Sequence, residues 1–203
     1  MLTAKNLHQW RGERHVLRGI GFALQAGELL HVAGPNGTGK TTLLRVACGL
    51  SQPEEGELAW RGQPIARLGA EFFWDLAYVA HDAGLKGDLT ARENLRYAAG
   101  LRATASNADI SSALATLNVE SCAELPTRAL SAGQRRRVAL ARLLIGSAPL
   151  WILDEPLTNL DAAGAALVLE LIARHLASGG MALVATHGEL AASIGRTSRL
   201  ELT

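Results

Sequence analysis

The sequence predicts an α/β fold with a parallel core sheet, an antiparallel β edge and an inserted helical subdomain. The continuous apolar runs Leu150–Leu153 and Met181–Ala185 are typical of strands buried on both faces of a parallel sheet. Between them, the apolar residues of 163–177 recur at helical spacing, so strand and helix alternate. In 1–33, short alternating apolar runs separated by glycines favour antiparallel strands instead.

The length of 203 residues suits a single domain spanning 1–203, with the helical subdomain at about 85–148. The net charge of +1 gives no indication of a nucleic-acid partner. Cys48 and Cys122 form no disulfide framework, which fits a reducing compartment. The first residues lack the apolar run of a signal peptide, and no run approaches the ~20 apolar residues of a membrane span. Any work at a membrane would therefore need another chain to cross it.

The middle of the chain predicts strands first and helices later. Gly56–Gly62 predicts one arm of a hairpin, and Leu76–Ala80 predicts a further buried strand. Thr90 stands three residues before Glu93, which is the signature of a capped helix start, and Ala-rich segments with helical spacing follow. The polar segment 102–111 is expected to be a surface loop.

Residues 34–42 match the pattern G-x-x-x-x-G-K-[ST] of a phosphate-binding loop. A predicted strand, 28–33, precedes this loop and a predicted helix, 42–48, follows it, which is the order that the chemistry needs. Glycines let the backbone fold around a phosphate, so that successive N–H groups and the positive helix N-terminus face its oxygens. The residues predicted to bind phosphate are Gly34, Pro35, Asn36, Gly37, Thr38, Gly39, Lys40, Thr41 and Thr42.

Three side chains of this phosphate loop (34–42) have specific predicted roles. Lys40 would place a full positive charge on the β- and γ-phosphates. The hydroxyl of Thr41 would ligate Mg²⁺, and that of Thr42 would hydrogen-bond a phosphate oxygen.

Two carboxylates, Asp154 and Glu155, end the apolar strand 150–153. Asp154 is predicted to hold Mg²⁺ directly or through water. Glu155 is predicted to accept a proton from the attacking water, because water is a poor nucleophile and negative charge crowds the γ-phosphate.

The segment 130–134 has the sequence Leu-Ser-Ala-Gly-Gln and precedes a basic helical run, 135–142. It resembles the signature Leu-Ser-Gly-Gly-Gln of the ATP-binding subunits of ABC transporters, with Ala132 in place of the first glycine. The resemblance implies a P-loop NTPase fold of the ABC ATPase type that binds ATP and Mg²⁺. It also implies that signature residues bind the γ-phosphate held by a second copy of the domain, at another helix N-terminus. The residues implied are Ser131, Gly133 and Gln134. The alternative is an N-capped helix with solvated arginines.

Two further positions fit the same family, and Trp10 is a separate candidate. The segment 158–161 resembles its dimer-contact loop, with Asp161 as the acidic residue. His187, after the last apolar strand, resembles the switch histidine that contacts the γ-phosphate. Trp10 lies 24 residues before Gly34 and either stacks on the purine base or is a half-buried turn aromatic. The residues predicted to be catalytic are Lys40 from the phosphate loop, Glu155 from the strand end and His187 from the resemblance.

One departure from the family pattern points to a branch within it. ABC subunits usually carry a glutamine after the strand that ends near Ala80, and here the residue is His81. A histidine can hydrogen-bond a metal-bound water, so His81 is expected to contact Mg²⁺ through water. This histidine, the Leu-Thr-Ala-Arg-Glu-Asn-Leu of 89–95 and the short chain resemble the ATP-binding subunit of the haem exporter of bacterial cytochrome c maturation. The segments 130–143 and 150–156 are similar to that subunit too.

The resemblance covers the whole chain and implies an ATP-hydrolysing subunit that powers haem delivery to c-type cytochromes. The implied partners are a second copy in a head-to-tail dimer around two ATP molecules and multi-span membrane subunits, with no nucleic acid. The implied location is the cytoplasmic face of the bacterial inner membrane, as a peripheral protein. A drug or lipid exporter subunit is an alternative that the segment 81–95 disfavours. A soluble ABC-type ATPase switch is disfavoured by the single compact cassette and near-neutral charge.

Overall fold

A computed structural model describes residues 1–100, 105–188, 190 and 194–203. Within these ranges the strands form two sheets, one antiparallel and one parallel. The strands are β1 (Leu2–Arg11), β2 (Arg14–Leu24), β3 (Glu28–Ala33), β4 (Glu55–Trp60), β5 (Gln63–Pro64), β6 (Leu76–Val79), β7 (Leu150–Asp154), β8 (Met181–Ala185) and β9 (Arg196–Glu201).

Seven α-helices occur in the described ranges. They are α1 (Lys40–Ala47), α2 (Ile65–Leu68), α3 (Ala70–Trp74), α4 (Ala91–Gly100), α5 (Asn107–Thr116), α6 (Ala132–Ala141) and α7 (Ala162–Ala177). Short 3₁₀ turns are found at Glu120–Cys122, Thr127–Ala129 and Arg142–Leu144. Helices α4, α5 and α6 fall within the stretch 85–148, and that they form a separate subdomain stays a prediction.

The two sheets confirm the predicted combination of a parallel core and an antiparallel edge. The prediction of antiparallel strands over 1–33 is wrong for β3, which is buried throughout and pairs in parallel with β8 and β9. The antiparallel sheet has the strand order β2-β1-β4-β5, and the parallel sheet has the order β6-β7-β8-β3-β9. The carboxyl ends of β3, β6, β7 and β8 therefore lie along one edge of the parallel sheet, where ligands bind in open α/β folds. The phosphate loop, His81, Glu155 and His187 follow these strand ends, so the topology brings them to the same edge.

Alternate residues of β7 face two separate hydrophobic cores. Leu150 and Ile152 belong to a core that includes Leu43 and Leu44 of α1, packed between the two sheets. Trp151 and Leu153 belong to the second core, which α5, α6 and α7 complete. Burial on both faces explains the continuous apolar sequence of β7, and it holds α1 and α6 firmly against the sheet. Helix α1 begins at Lys40 and helix α6 is capped by Ser131, and both are predicted site residues.

The predicted surface loop over 102–111 is wrong in its second half, because α5 begins at Asn107. Ser106 caps this helix: its hydroxyl accepts a hydrogen bond from the N–H of Asp109 at 3.2 Å. The carboxylate of Asp109 accepts in return from the N–H of Ser106 at 2.8 Å. Such a reciprocal cap stabilises a helix start in a polar sequence. Residues 102–104 lie outside the described ranges.

Candidate active site

Three glycines of the phosphate loop have positive φ, namely Gly34, Gly37 and Gly39, and two of them also lie against other segments. The values are +140° at Gly34 and +106° at Gly39, in a region that L side chains rarely adopt. A Cβ atom at Gly34 would collide with the carbonyl oxygen of Leu202, and one at Gly39 would lie 2.6 Å from Cγ1 of Val16. The loop is thus pressed between the end of the chain's last strand and the start of β2, and only glycine fits at these two positions.

Lys40 is buried at the N-terminus of α1. Its Nζ donates hydrogen bonds to the carbonyl oxygens of Gly34 at 2.6 Å and Pro35 at 3.0 Å. The same nitrogen lies 3.3 Å from Nδ1 of His187. A full positive charge and a helix N-terminus therefore share one small region, which favours a phosphate group there.

Thr41 and Asp154 form a direct contact between the phosphate loop and the end of β7. The Thr41 hydroxyl donates to Oδ2 of Asp154 at 2.8 Å, and Asp154 is 1% exposed. Mg²⁺ is commonly held by one or two carboxylates together with water and substrate phosphates, and this pair suits that arrangement. No cluster of three or more His, Cys, Asp or Glu side chains that could hold a metal occurs in the described ranges. The chemistry of the donors therefore fits Mg²⁺ bound together with a phosphate ligand.

Glu155 has an unusual backbone conformation, with φ of +51°. Its N–H donates to the carbonyl oxygen of Ala185 at 2.8 Å, which ties it to the end of β8. The N–H of His187 donates to Oε2 of Glu155 at 3.4 Å. The Oε1 atom is buried and accepts no hydrogen bond from any residue that the structure describes. A buried carboxylate oxygen with free acceptor capacity is what a general base requires.

The imidazole of His187 lies between Lys40 and Glu155. The ammonium of Lys40 has no acceptor capacity, so Nζ is the donor in its contact with Nδ1 of His187. Nε2 is 3.1 Å from Oε1 of Glu155, without the alignment of a hydrogen bond. His187 therefore contacts both of the other residues predicted to be catalytic, although the chain separates Lys40 from His187 by 147 positions.

The signature residues lie at the N-terminus of α6, where Ser131 and Gln134 form a reciprocal cap. The hydroxyl of Ser131 accepts from the N–H of Gln134 at 3.2 Å, and Oε1 of Gln134 accepts from the N–H of Ser131 at 2.9 Å. A Cβ atom at Gly133 would lie 2.8 Å from the carbonyl oxygen of Asn159. Within the described chain, the hydrogen bonds of these three residues do not reach the phosphate loop. The cap of the alternative interpretation is thus present, and nucleotide binding by this helix end stays a prediction.

Asp161 ends the segment 158–161 and caps α7. Its Oδ1 accepts from the N–H of Gly164 at 2.9 Å and pairs with Nη2 of Arg137 at 2.7 Å. The hydrogen bond from Gly164 and the charge of Arg137 lower the pKa of Asp161. The carboxylate therefore stays ionised at neutral pH and, through Arg137, links α6 to α7.

His81 is exposed just beyond β6, at the same sheet edge as Asp154. Its carbonyl oxygen accepts from Arg136 at 3.3 Å, and the role of its imidazole in contacting Mg²⁺ through water stays a prediction. Trp10 is half-buried on β1 and stacks on His15, with ring centroids 4.0 Å apart and an interplanar angle of 7°. The neighbouring Arg14 donates to the carbonyl of Gly37 at 2.9 Å, so this ring pair is close to the phosphate loop. The sequence analysis missed His15.

Arg136 is the second residue that the sequence analysis missed. The interpretation of 135–142 as solvated arginines is wrong for it, because Arg136 is 3% exposed. Its guanidinium donates to the carbonyl oxygens of Asp154 and Glu155, at 2.7 Å each. Burial lowers the pKa of Arg136, while the charges of Asp154 and Glu155 act in the opposite direction. No local sequence signal marks it, since the flanking residues are arginines as well.

Comparison with known proteins identifies the family. The family model described as ABC transporter matches residues 17–158. The chain belongs to the ABC transporter family. Three relatives are named cytochrome c biogenesis ATP-binding export protein CcmA. The protein of Nitrosomonas europaea is 46% identical over 100% of this chain and 96% of its own length. The protein of Methylococcus capsulatus is 49% identical over 93% of this chain and 92% of its own length. The protein of Salmonella typhi is 43% identical over 100% of this chain and 97% of its own length.

Solved ABC cassettes share the fold. An ATP-binding subunit of an ABC transporter superposes with a TM-score of 0.89 at 26% identity, covering 99% of this chain and 85% of that one. The cassette MJ0796, solved as a dimer in a post-hydrolysis state with ADP and Pi, superposes with a TM-score of 0.88 at 26% identity, covering 100% and 96%. The resemblance to an ABC ATP-binding subunit of the cytochrome c branch, and the ABC ATPase fold with ATP as its ligand, are therefore confirmed. No helix in the described ranges is long and apolar enough to span a membrane.

Proposed function

We propose that this ABC ATPase is the energy-supplying subunit of a membrane complex that exports or delivers haem for c-type cytochrome biogenesis. The observation that carries the proposal is the 43–49% identity, over at least 93% of the chain, to relatives named for export in cytochrome c biogenesis. We place the chain peripherally on the cytoplasmic face of the bacterial inner membrane, beside multi-span membrane subunits that form the export path.

The phosphate loop binds the triphosphate of ATP. The N–H groups at the start of α1 and the ammonium of Lys40 face the β- and γ-phosphate oxygens, after Lys40 exchanges its carbonyl partners for phosphate. Thr41 and Asp154 would hold Mg²⁺, which would neutralise negative charge on the phosphates. The hydrogen bond between Thr41 and Asp154 keeps their two oxygens 2.8 Å apart at this place in the site.

Glu155 removes the proton from the attacking water. As the water oxygen bonds to the γ-phosphorus, the bond to the bridging oxygen breaks and ADP leaves with that electron pair. The buried Oε1 takes the proton, and the N–H of His187 holds the other carboxylate oxygen in place. His187 itself reaches the γ-phosphate through the ring that contacts Lys40.

The active form is a head-to-tail dimer with ATP between the phosphate loop of one copy and the signature helix of the other. Two observations support it: Ser131 and Ala132 are exposed at the N-terminus of α6, and the similar cassette MJ0796 is dimeric. Closure on ATP and opening after hydrolysis move the attached membrane subunits. Nucleic acid is not a partner, since the net charge is +1.

Cells that lack this chain are expected to lose haem-stained c-type cytochromes. Expression of the wild-type chain should restore them, and expression of the Lys40→Ala variant should not, because delivery requires ATP. The measurement is haem staining of membrane proteins after electrophoresis, with immunodetection of both variants as the control. Unchanged cytochromes in the deletion strain would reject the haem assignment while leaving the ATPase intact.

The variant His81→Gln is expected to keep much of the ATPase activity. A glutamine amide can donate to or accept from a metal-bound water as an imidazole can, and the exposed position tolerates the change. His81→Ala is the matched control and should be slower, because it offers no hydrogen bond. Steady-state phosphate release measures both variants. Complete loss of activity in His81→Gln would show that the imidazole itself is required.

A further inference from the structure

The buried guanidinium of Arg136 connects three segments of the site. It extends from α6, the signature helix. Nη2 donates to the carbonyl oxygens of Asp154 and Glu155 at 2.7 Å each, and Nε donates to that of Pro156 at 3.3 Å. Nη1 donates to the carbonyl oxygens that follow β6. These belong to Ala80 at 2.7 Å and His81 at 3.3 Å.

The hydrogen bonds of Arg136 go to backbone carbonyls at the ends of β6 and β7, whereas those of its neighbours go elsewhere. Arg135 donates to the carbonyl of Leu130 in its own motif, and Arg137 pairs with Asp161 at the start of α7. A guanidinium offers five N–H donors in a rigid plane, so it can fix several carbonyls in one geometry. A lysine in its place keeps the charge but lacks this planar set of donors.

The turn that Arg136 holds includes the residue with the strained backbone. Three hydrogen bonds fix the backbone of Glu155, which has a φ of +51°. Its N–H donates to the carbonyl oxygen of Ala185, and its own carbonyl oxygen accepts from the N–H of Thr158 and from the guanidinium of Arg136. A conformation of this kind persists only where the surroundings over-determine it. The direction of the Glu155 carboxylate therefore depends on the guanidinium, although Arg136 is not placed to touch the substrate.

We propose that Arg136 is a positioning residue that holds the turn at 154–156, so that Glu155 can activate water. It also links this turn to helix α6 and to residues 80–81. The inference rests on the proposed role of Glu155 as the base. It assigns Arg136 no part in holding the nucleotide, because none of its contacts is to the phosphate loop. Its loss should therefore affect the rate of hydrolysis and spare the affinity for ATP.

The test compares Arg136→Gln and Arg136→Lys with wild type in steady-state hydrolysis of ATP with Mg²⁺. Because a misplacement of about 1 Å at a reacting group can cost ~10²-fold in rate, we expect Arg136→Gln to lower kcat by about that factor with KM for ATP near the wild-type value. Arg136→Lys should retain an intermediate kcat. Arg174→Gln is the control and should match wild type, because it removes an exposed arginine from the last turn of α7.

Two outcomes would overturn the inference. The first is a wild-type kcat in Arg136→Gln, and the second is a loss of ATP affinity that accounts for the whole loss of rate, measured by titration with a fluorescent ATP analogue. If Arg136→Gln fails to fold, as judged by thermal unfolding, Arg136→Lys decides by the same criteria. Glu155→Gln is run in parallel. Normal turnover in that variant would reject the proposed base itself, whereas its inactivity beside a normal Arg136→Gln would reject only the positioning role.

Discussion

Replacement of Lys40 by alanine is expected to abolish ATP binding. The ammonium of Lys40 is already desolvated beside the phosphate loop, where it donates to two carbonyls at 2.6 and 3.0 Å. In the complex, the same group would bind the β- and γ-phosphates. Two charge-assisted contacts of roughly 1.5–3 kcal/mol each correspond to a ~10²- to 10⁴-fold loss of affinity. Isothermal titration with ATP and Mg²⁺ measures this loss.

The control for Lys40→Ala is Lys5→Ala. Lys5 is exposed on β1, on the antiparallel sheet, so its removal changes the net charge equally without touching the loop. Thermal unfolding of both variants would show whether the fold is intact. Near-normal ATP affinity in Lys40→Ala would contradict the assignment of 34–42 as the phosphate-binding loop.

Glu155→Gln is expected to bind ATP, hydrolyse it very slowly and accumulate as a dimer. The amide has the shape of the carboxylate but cannot accept the proton of the attacking water, and a positioned general base contributes ~10²- to 10⁴-fold to the rate. With hydrolysis blocked, the ATP-bound dimer has no route to opening. Single-turnover hydrolysis measures the rate, and light scattering after gel filtration with Mg²⁺ and ATP measures the dimer.

Glu71→Gln serves as the matched control, because Glu71 is exposed on α3 and belongs to no part of the site. It should hydrolyse ATP like wild type and remain in the wild-type oligomeric distribution. Wild-type turnover in Glu155→Gln would show that another group activates the water. Slow turnover without a stable dimer would support Glu155 as the base and contradict the expected accumulation of the ATP-bound dimer.

The motif residues could be predicted because their chemistry depends on short local sequence. A strand, a glycine loop and a helix fix where Lys40 and Thr41 lie, and an apolar strand fixes where Asp154 begins its turn. The contact between Thr41 and Asp154, at 2.8 Å, follows from the parallel order of β3 and β7 around β8. Parallel strands have few possible orders, and their carboxyl ends lie along one edge of the sheet, so a common edge for these residues could be anticipated.

Other features could not be predicted because they depend on tertiary placement. Strand β9 is largely exposed and polar, and it forms because it pairs in parallel with the free edge of β3. Helix α5 begins in a polar segment and is fixed by the cap at Ser106. The function of Arg136 is set by where α6 packs, so nothing distinguishes it in sequence from Arg135.

The positive φ of Glu155 also has a consequence for protein engineering. A non-glycine residue in the left-handed region costs roughly 1–2 kcal/mol, and a glycine at position 155 would relieve that cost. A screen for thermostability alone would therefore favour glycine there and select a protein without the carboxylate that we propose as the base. A carboxylate in an unfavourable backbone conformation is what a stability–activity trade-off would produce at this position. Heat-resistant variants of this cassette should thus be selected for phosphate release as well as for melting temperature.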